Sequence, residues 1–504
     1  MSTAAAGTGA RARAGVVSVV TINYKGAEDT IACLSALGEL DWPAERVQVL
    51  CVDNASEDGS IERIRAAAPE VELIASPTNT GFSGGCSLGV AHATGEYIAF
   101  LNNDAKPDPR WLAEAVAVLE ADPTIACVAC KILNWDGSLI DFVDGGLFWT
   151  GNGFQRDFRQ PDEGQWDDAR DMLFACGGAM VVRADVYRST GGFDDRYFMF
   201  FEDVDFGWRL NLLGHRVRYV PTSVVYHRHH GSIGKTADWY LRFLCERNAL
   251  MSMYKNFSDE TLAQCFAPAI ALTVRRGFFE GADDTSVLDL RHGKAEDDRE
   301  TLEVSKVGMT GAFAVDSMFA QIDDLAHTRA DLQRRRVRSD RDLVPLFRDP
   351  VPFSQLFGSH RETYEALVAA FGIHDLFTLD PPTEDDPEVI PPGTAPADVL
   401  ALYRAAAADR IRRNSLLVEE LRTARRAAVD AERKLTRALK RVKQLEAGTP
   451  SAKTGTGKAT SGQAASEPTP ATAAAARRAR RVARAVLRRV RATNAARDRT
   501  EAGG

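Results

Sequence analysis

Long apolar runs are missing from this sequence. The longest, Cys265 to Val274, falls well short of the roughly 20 residues a bilayer-spanning helix needs, so an integral membrane protein is not expected. Cysteine is sparse, eight scattered residues in 504, which suits a reduced cytoplasmic chain and not a disulfide scaffold. The opening MSTAAAGTGARARAG has arginines but no following apolar h-region with a cleavage site, so it does not read as a signal peptide. An overall positive charge is also lacking. The formal net charge of −8 argues against nucleic acid as the partner of the whole chain.

What is present suffices for folding. Hydrophobic residues make up 45% and charged residues 26%, enough to bury cores, and the length suggests two to four units at about 150 residues each. Charge is unevenly placed: from Ser451 onward 12 Lys/Arg stand against 3 Asp/Glu, so this tail carries +9 and the rest −17.

Order begins with Val16 to Ile22, an apolar β-branched run that reads as a buried strand. Similar runs follow at Val47 to Val52, Val71 to Ala75 and Tyr97 to Leu101, separated by helical patterns at 29–37, 60–68 and 85–93. This alternation predicts an α/β domain with a mostly parallel, Rossmann-like sheet over residues 16–240, whose ligands bind where the strands end. Further strands are expected at Ile125 to Leu133, Gly178 to Arg183 and Val217 to Val225. Residues 1–15 read as a disordered tail. Residues 241–379 read as a helical accessory region interrupted by an exposed loop from Gly281 to Glu300. A Pro- and acid-rich linker follows at 380–397. Within 398–447, Leu421, Ala428, Leu435 and Val442 repeat every seven residues, beside a second series at Leu417, Ala424, Ala431, Ala438 and Leu445. That spacing fits a short coiled coil joining copies of the chain, or one amphipathic helix folded back on the α/β domain. Residues 448–504 are a low-complexity linker and basic tail; eight arginines between Arg477 and Arg491 suit an anionic membrane surface, or a solvated tail.

Five clusters carry chemistry. Asp53, in VDNASEDGS, ends the second strand, where a carboxylate can accept hydrogen bonds from a base or ribose; Ser56 or Asp58 could instead simply cap the next helix. The glycines of Asn79-Thr-Gly81-Phe-Ser-Gly-Gly could bring backbone N–H groups close to an anion. Asn102-Asn103-Asp104 closes the fourth strand, and one carboxylate flanked by amides suits a divalent cation shared with a diphosphate, or an ordinary turn. In GGFDDRYFMFFEDVDFGWR, acids among aromatics are costly unless paired or functional. Desolvation there would raise a carboxyl towards the range of a general base, while Asp205 reads as the helical partner of Arg209. Finally, Val224-Val-Tyr-His227-Arg-His-His230 ends a strand in three histidines, which suits metal ligation. Cys127-Val-Ala-Cys130, inside a strand-like run, points its thiols to opposite faces and reads as structural.

In this order the clusters resemble the family 2 glycosyltransferases of GT-A fold, most closely the bacterial rhamnosyltransferase-like branch, over about Val16 to Asn248. The resemblance implies a nucleotide-sugar donor, a glycan or lipid-linked glycan acceptor, and a divalent cation (Mg²⁺ or Mn²⁺). It places Thr21, Asn23 and Asp53 in the nucleotide pocket, with Asn79, Gly81, Asn102 and Asn103 as further donor-binding positions. Asp104 becomes the surviving acid of an Asp-x-Asp metal motif, with His227 as second ligand. Glu202 and Asp203 become the catalytic acids, Asp203 the base of an inverting transfer, and Arg247 a diphosphate contact. Asn102 stands where the motif often has its first Asp. Residence in the cytoplasm, or on the inner face of its membrane, follows from such acceptors. A nucleotidyltransferase on a similar sheet is the rival enzyme, but Lys25, the lysine nearest the first strand, lacks the Gly-rich context such enzymes show. A decayed transferase presented by the coiled coil is the non-enzymatic rival; the intact Asp53, Asp104 and Asp203 argue against it.

Overall fold

The four apolar runs at the start of the chain form the parallel half of a ten-stranded mixed sheet in a computed structural model, which describes residues 12–228, 237–281, 304–352 and 361–377. Strands β1 (Arg13–Asn23), β2 (Val47–Asp53), β3 (Glu72–Ala75) and β4 (Gly95–Leu101) lie in the order β3-β2-β1-β4. Helices α1 (Ala27–Leu37), α2 (Ser60–Ala67) and α3 (Gly81–His92) make the crossovers. β1 pairs in register with β2 from Val17 against Val47 to Asn23 against Asp53. Val17, Val19, Leu50, Cys51 and Val52 are wholly buried, which is why these strands read as unbroken apolar runs instead of alternating ones.

The second half of the sheet is mixed. It opens with β5 (Ala105–Pro107), β6 (Ile125–Asn134), β7 (Ile140–Phe142) and β10 (Arg170–Met172), with α4 (Trp111–Ala121) between β5 and β6, while β8 (Gly145–Leu147) and β9 (Gly153–Gln155) form a separate two-stranded hairpin. Then come β11 (Ala179–Arg183), α5 (Ala184–Ser189), α6 (Glu202–Leu212) and β12 (Arg216–His227). β11 enters antiparallel between β4 and β6, and β12 runs parallel to β6. The ends of β4 and β12 therefore share one edge with the start of β11. There Asn102 N–H donates to the Gly178 carbonyl at 2.9 Å, and His227 pairs with Ala105. Cys127 and Cys130 are buried in β6. Burial pushes the Cys130 thiol up to about 11, where it is inert, and the Trp111 indole donates to its sulfur.

Helices α7 (Asp238–Asn256), α8 (Asp259–Glu280), α9 (Lys306–Phe319), α10 (Ile322–Arg335), α11 (Asp340–Phe347), α12 (Arg361–Ala370) and α13 (Ile373–Phe377) follow. The helical pattern from Trp239 to Phe279 is two helices, because Phe257 and Ser258 leave helical geometry and Ser258 caps α8 by accepting from Thr261 N–H. These helices pack on the sheet. The Trp149 indole donates to the Tyr364 hydroxyl at 3.1 Å, and Arg348 joins Arg156 on the fully buried Asp144. No helix among the described residues is long and apolar enough to cross a membrane. Most of the loop read from Gly281 to Glu300, His229 and His230, the linker, the heptads and the basic tail lie outside the described residues.

One buried charge network joins α7 to α6. Lys255 Nζ, fully buried, donates to Asp205 at 2.9 Å and to Asp194 at 2.6 Å. Asp205 also receives Arg209, as its spacing predicts, and Asn256; Asp194 also receives Arg196. Burial alone would raise both carboxyls, but Lys255 with Arg209 holds Asp205 below the usual range, and Lys255 with Arg196 holds Asp194 well below it. Depressed carboxyl groups contribute stability that is present above their unfolded values near 4 and is lost as pH falls through the lower folded values. Lys255→Met leaves two buried carboxylates short of a cation and should cost about 3–5 kcal/mol at pH 7. In urea titrations the gap from wild type should narrow at pH 3, where the carboxylates of the variant protonate. A gap of the same size at both pH values would show that lost packing, not charge, is the cause.

Candidate active site

At the edge where β1 and β2 end, Asn23 Nδ2 donates to Asp53 Oδ1 at 2.6 Å and to Ser56 Oγ at 3.0 Å. Ser56 N–H donates to Asp53 Oδ2, so Ser56 belongs to this floor and does not cap α2; Asp58 instead receives Ser60 N–H. A second chain of bonds runs from Asn103 Nδ2 to Thr30 Oγ1 and on to Asn23 Oδ1, at 2.9 and 2.8 Å. The floor under Asp53 and the loop that carries Asp104 are thus one buried unit. Lys25, Ala55 and Glu57 adopt positive φ in the turns that leave β1 and β2, so both turns are held against their intrinsic preference. Thr21 does not reach this floor. It is fully buried one residue pair lower on β1, beside Cys33 of α1.

The glycine-rich turn before α3 is built differently from an anion cradle. Gly81 N–H is taken by Asn79 Oδ1 at 2.9 Å, and Ser83 N–H by the Phe198 carbonyl at 3.1 Å. Gly81 has φ +72, and a Cβ there would lie 2.1 Å from Phe198 O, so only glycine fits. Gly85 and Gly89 let α3 press onto Ile22 and Val20 of β1. Asn54 fastens the turn from below: its amide donates to Asn79 Oδ1 and Gly81 O, and its Oδ1 accepts from Thr80 N–H.

Along the edge from β4, Asp104 and His227 meet. His227 Nε2 lies 3.0 Å from Asp104 Oδ1 and 3.3 Å from Asn102 Nδ2, while its Nδ1 lies 2.6 Å from Asp141 Oδ2. Burial alone would lower the imidazole's pKa, but hydrogen bonds and charge from Asp104 and Asp141 lift it to about 10. The donor set fits a divalent cation. One carboxylate oxygen and one imidazole nitrogen converge, and Asp141 fixes the ring from behind, as second-shell carboxylates do for metal-bound histidines. Among the described residues no three His, Cys, Asp or Glu side chains converge as a closed cage. That leaves positions for substrate phosphate oxygens.

The acid pair stands beside this centre at the start of α6. Asp203 Oδ2 accepts from Gly177 N–H and Oδ1 from Val204 N–H, both at 2.8 Å. Gly177 and Gly178 at the head of β11 therefore separate Asp203 from Asn102, and a Cβ on Gly178 would press on the Asn102 amide at 3.0 Å. Burial pushes Asp203 up, partly offset by those two N–H groups. Glu202 is 5% exposed with Oε2 unpaired; burial and then the Asp203 charge push it well above the usual range. The preceding loop is strained. Phe198, Phe200 and Phe201 have φ of 67, 67 and 68, a region that costs an L-residue about 1–2 kcal/mol. Arg247 lies behind this loop and not on the edge: its guanidinium donates to the Arg196 and Tyr197 carbonyls.

The sequence offered no sign of Asp141, which sits on a three-residue strand, and only the double glycine hinted at Gly177–Gly178. Of the expected positions, the structure brings Asn23, Asp53, Asn102, Asn103, Asp104, His227, Glu202 and Asp203 to one edge. Asn79 and Gly81 shape the turn beside it.

Comparison with known proteins identifies the family. Residues 18–190 match the family model of glycosyl transferase family 2. An N-acetylglucosaminyl-diphospho-decaprenol L-rhamnosyltransferase of Mycobacterium tuberculosis is 30% identical over 225 residues, 40% of this chain and 72% of that protein. A pre-mycofactocin glycosyltransferase of the same organism is 30% identical over 209 residues, 41% of this chain and 42% of that one. Among solved structures, GalNAc-T7 with UDP, GalNAc and Mn²⁺ aligns over 50% of each chain at 17% identity and a TM-score of 0.41. A nucleotidyltransferase and a decayed scaffold are set aside. The chain belongs to glycosyl transferase family 2, has the GT-A fold, and is a glycosyltransferase.

Proposed function

We propose that this enzyme moves a sugar, in one inverting displacement, from a nucleotide-diphosphate donor to a hydroxyl of a cell-envelope or polysaccharide glycan. The observation that carries the reading is the row Asp104, His227, Asn102, Gly178, Gly177, Asp203 along one sheet edge. It sets a cation-binding pair next to a carboxylate whose affinity for protons is raised. Asn23 and Asp53 form the floor against which the base and ribose of the donor rest, and Asn103 ties that floor to Asp104. Asp104 and His227 would hold Mg²⁺ or Mn²⁺, which supplies charge neutralisation for the departing diphosphate. Asp203 accepts the proton of the attacking hydroxyl, and Gly177 N–H keeps its carboxylate oriented meanwhile. The glycines at 177 and 178 keep the space between base and diphosphate clear of side chains. Glu202, whose proton affinity burial raises, has a carboxyl oxygen left to hydrogen-bond a sugar hydroxyl.

A relative that acts on a decaprenol-linked acceptor favours a lipid-linked glycan here, and a rhamnosyl group as the sugar moved. The basic tail then holds the enzyme at the inner face of the cytoplasmic membrane, since each basic residue near an anionic leaflet is worth about 1 kcal/mol.

Four outcomes test this. Asp203→Asn should lower turnover by about 10²–10⁴-fold, read as nucleotide diphosphate release, with donor affinity kept; near-normal turnover would move the base elsewhere. Because burial raises Asp203, activity should fall away on the acid side at a pH above the ordinary aspartate value of about 4. Chelation should abolish activity and Mg²⁺ or Mn²⁺ restore it, with Asp104→Ala weakening donor binding more than acceptor binding; full activity in chelator would remove the cation from the reading. Sedimentation with anionic vesicles, lost at high salt and on truncation after Gly448, would place the tail on the membrane, and equal binding by both forms would exclude it.

A further inference from the structure

The segment that delivers the acid pair is held by something other than its own sequence. Three aromatic residues within four, Phe198, Phe200 and Phe201, sit in the left-handed region, and none is glycine or asparagine. Such a backbone persists only where its surroundings over-determine it. On one side Phe198 O accepts Ser83 N–H at 3.1 Å and lies flush against Gly81. On the other side the carbonyls turned outward by the strain all meet two neighbouring residues of α7. Asn248 Nδ2 donates to Tyr197 O, Met199 O and Phe200 O at 3.1, 2.9 and 2.7 Å. Arg247 Nη2 donates to Arg196 O and Tyr197 O at 3.0 and 2.9 Å, and its Nε donates to Asn248 Oδ1 at 2.9 Å, which fixes which end of the amide faces the loop. Asn248 is fully buried and Arg247 is 9% exposed, so neither is spare surface chemistry.

The consequence reaches the acids directly. Phe201 O accepts Asp205 N–H at 2.9 Å, the first helical bond of α6, so the left-handed Phe201 sets where that helix starts. Glu202 and Asp203 form its first turn. A rotation of Phe200 or Phe201 towards ordinary geometry would turn that first helical residue and draw Asp203 away from Gly177 N–H. From these contacts we infer that Arg247 and Asn248 are a positioning pair that staples the backbone at 196–200 and so holds Asp203 over the reaction centre, without touching donor or acceptor. This rests on Asp203 being the base.

The test uses the full chain and follows nucleotide diphosphate release, donor affinity and the pH profile for Asn248→Ala, Arg247→Met and Asp203→Asn. Asn248→Ala should lower kcat by about 10²-fold, the scale of a misplaced catalytic group. Donor Kd should stay within about twofold of wild type, since the bonds of Arg247 and Asn248 go to residues 196–200 and not to Asn23 or Asp53. The acid limb of kcat/KM should move to lower pH, because an Asp203 released from its buried seat is better hydrated. Loss of folded protein alone would scale the rate and leave the limb in place. Arg247→Met should act in the same direction with a smaller loss and serves if Asn248→Ala does not fold. A folded Asn248→Ala or Arg247→Met with wild-type kcat and an unmoved limb overturns the inference. So does a raised donor Kd with kcat intact, which would make these residues donor contacts. Asp203→Asn separates the two readings: if it keeps turnover, the base assignment fails, whereas if it loses turnover while the α7 variants keep theirs, only the positioning role fails.

Discussion

A single ammonium group organises the catalytic half of this protein. Lys255 is buried and bridges Asp194 and Asp205, which bracket the strained loop and the acid pair on both sides. An ion pair so buried is a poor source of net stability, because desolvation offsets most of its attraction. Its value is geometric. Two carboxylates eleven residues apart in sequence must meet one nitrogen, and Arg196 and Arg209 complete their remaining lone pairs. The chain between them therefore has both ends fixed, and its aromatic residues have no room to relax. The C-terminal carbonyls of α7 are in turn covered from α10 by Arg329 and Gln333. Helices that touch no part of the sheet edge thus still determine where the acids stand.

Much of the parallel half was legible in the sequence, because strands buried on both faces leave continuous apolar runs that nothing else in a soluble domain imitates. The direction of β11 was not. A run such as Ala179 to Arg183 reads alike in either direction, and only its pairing partners decide. Strands β5 and β7 to β10, three residues each, are too short to show any period. The break at Phe257 was invisible because helical propensity continues across it and only the Ser258 cap marks the restart.

The site was legible wherever a residue's chemistry is tied to a strand end: Asp53, Asp104 and His227 lie where an ended strand must present them. It was misleading where one residue type serves two physical ends. Gly85 looked suited to approach a ligand, yet it is there, like Gly89, because α3 lies almost on top of β1. Arg247 looked suited to an anion, yet its Nη2 is claimed by two backbone carbonyls and its Nε by Asn248 Oδ1. Asp141 gave no signal because its contribution, steadying the far nitrogen of His227, depends on a contact 86 residues away in sequence.

The acids of α6 show how one helix separates a structural carboxylate from the carboxylate proposed as base. Asp203 and Asp205 are two residues apart, about 200° around the helix, so they face opposite environments. Asp205 turns inward to Lys255, Arg209 and Asn256 and stays ionised in the core. Asp203 turns to the glycine pair, where it meets backbone N–H groups and burial raises its proton affinity. Their proton affinities are thereby driven apart in opposite directions from the same starting value, the condition under which two carboxyl groups take different roles. Exchanging the two environments would require only a shift of α6 by about half a turn. The strained loop before it, held to α3 at Phe198 and to α7 at Phe200, opposes that shift.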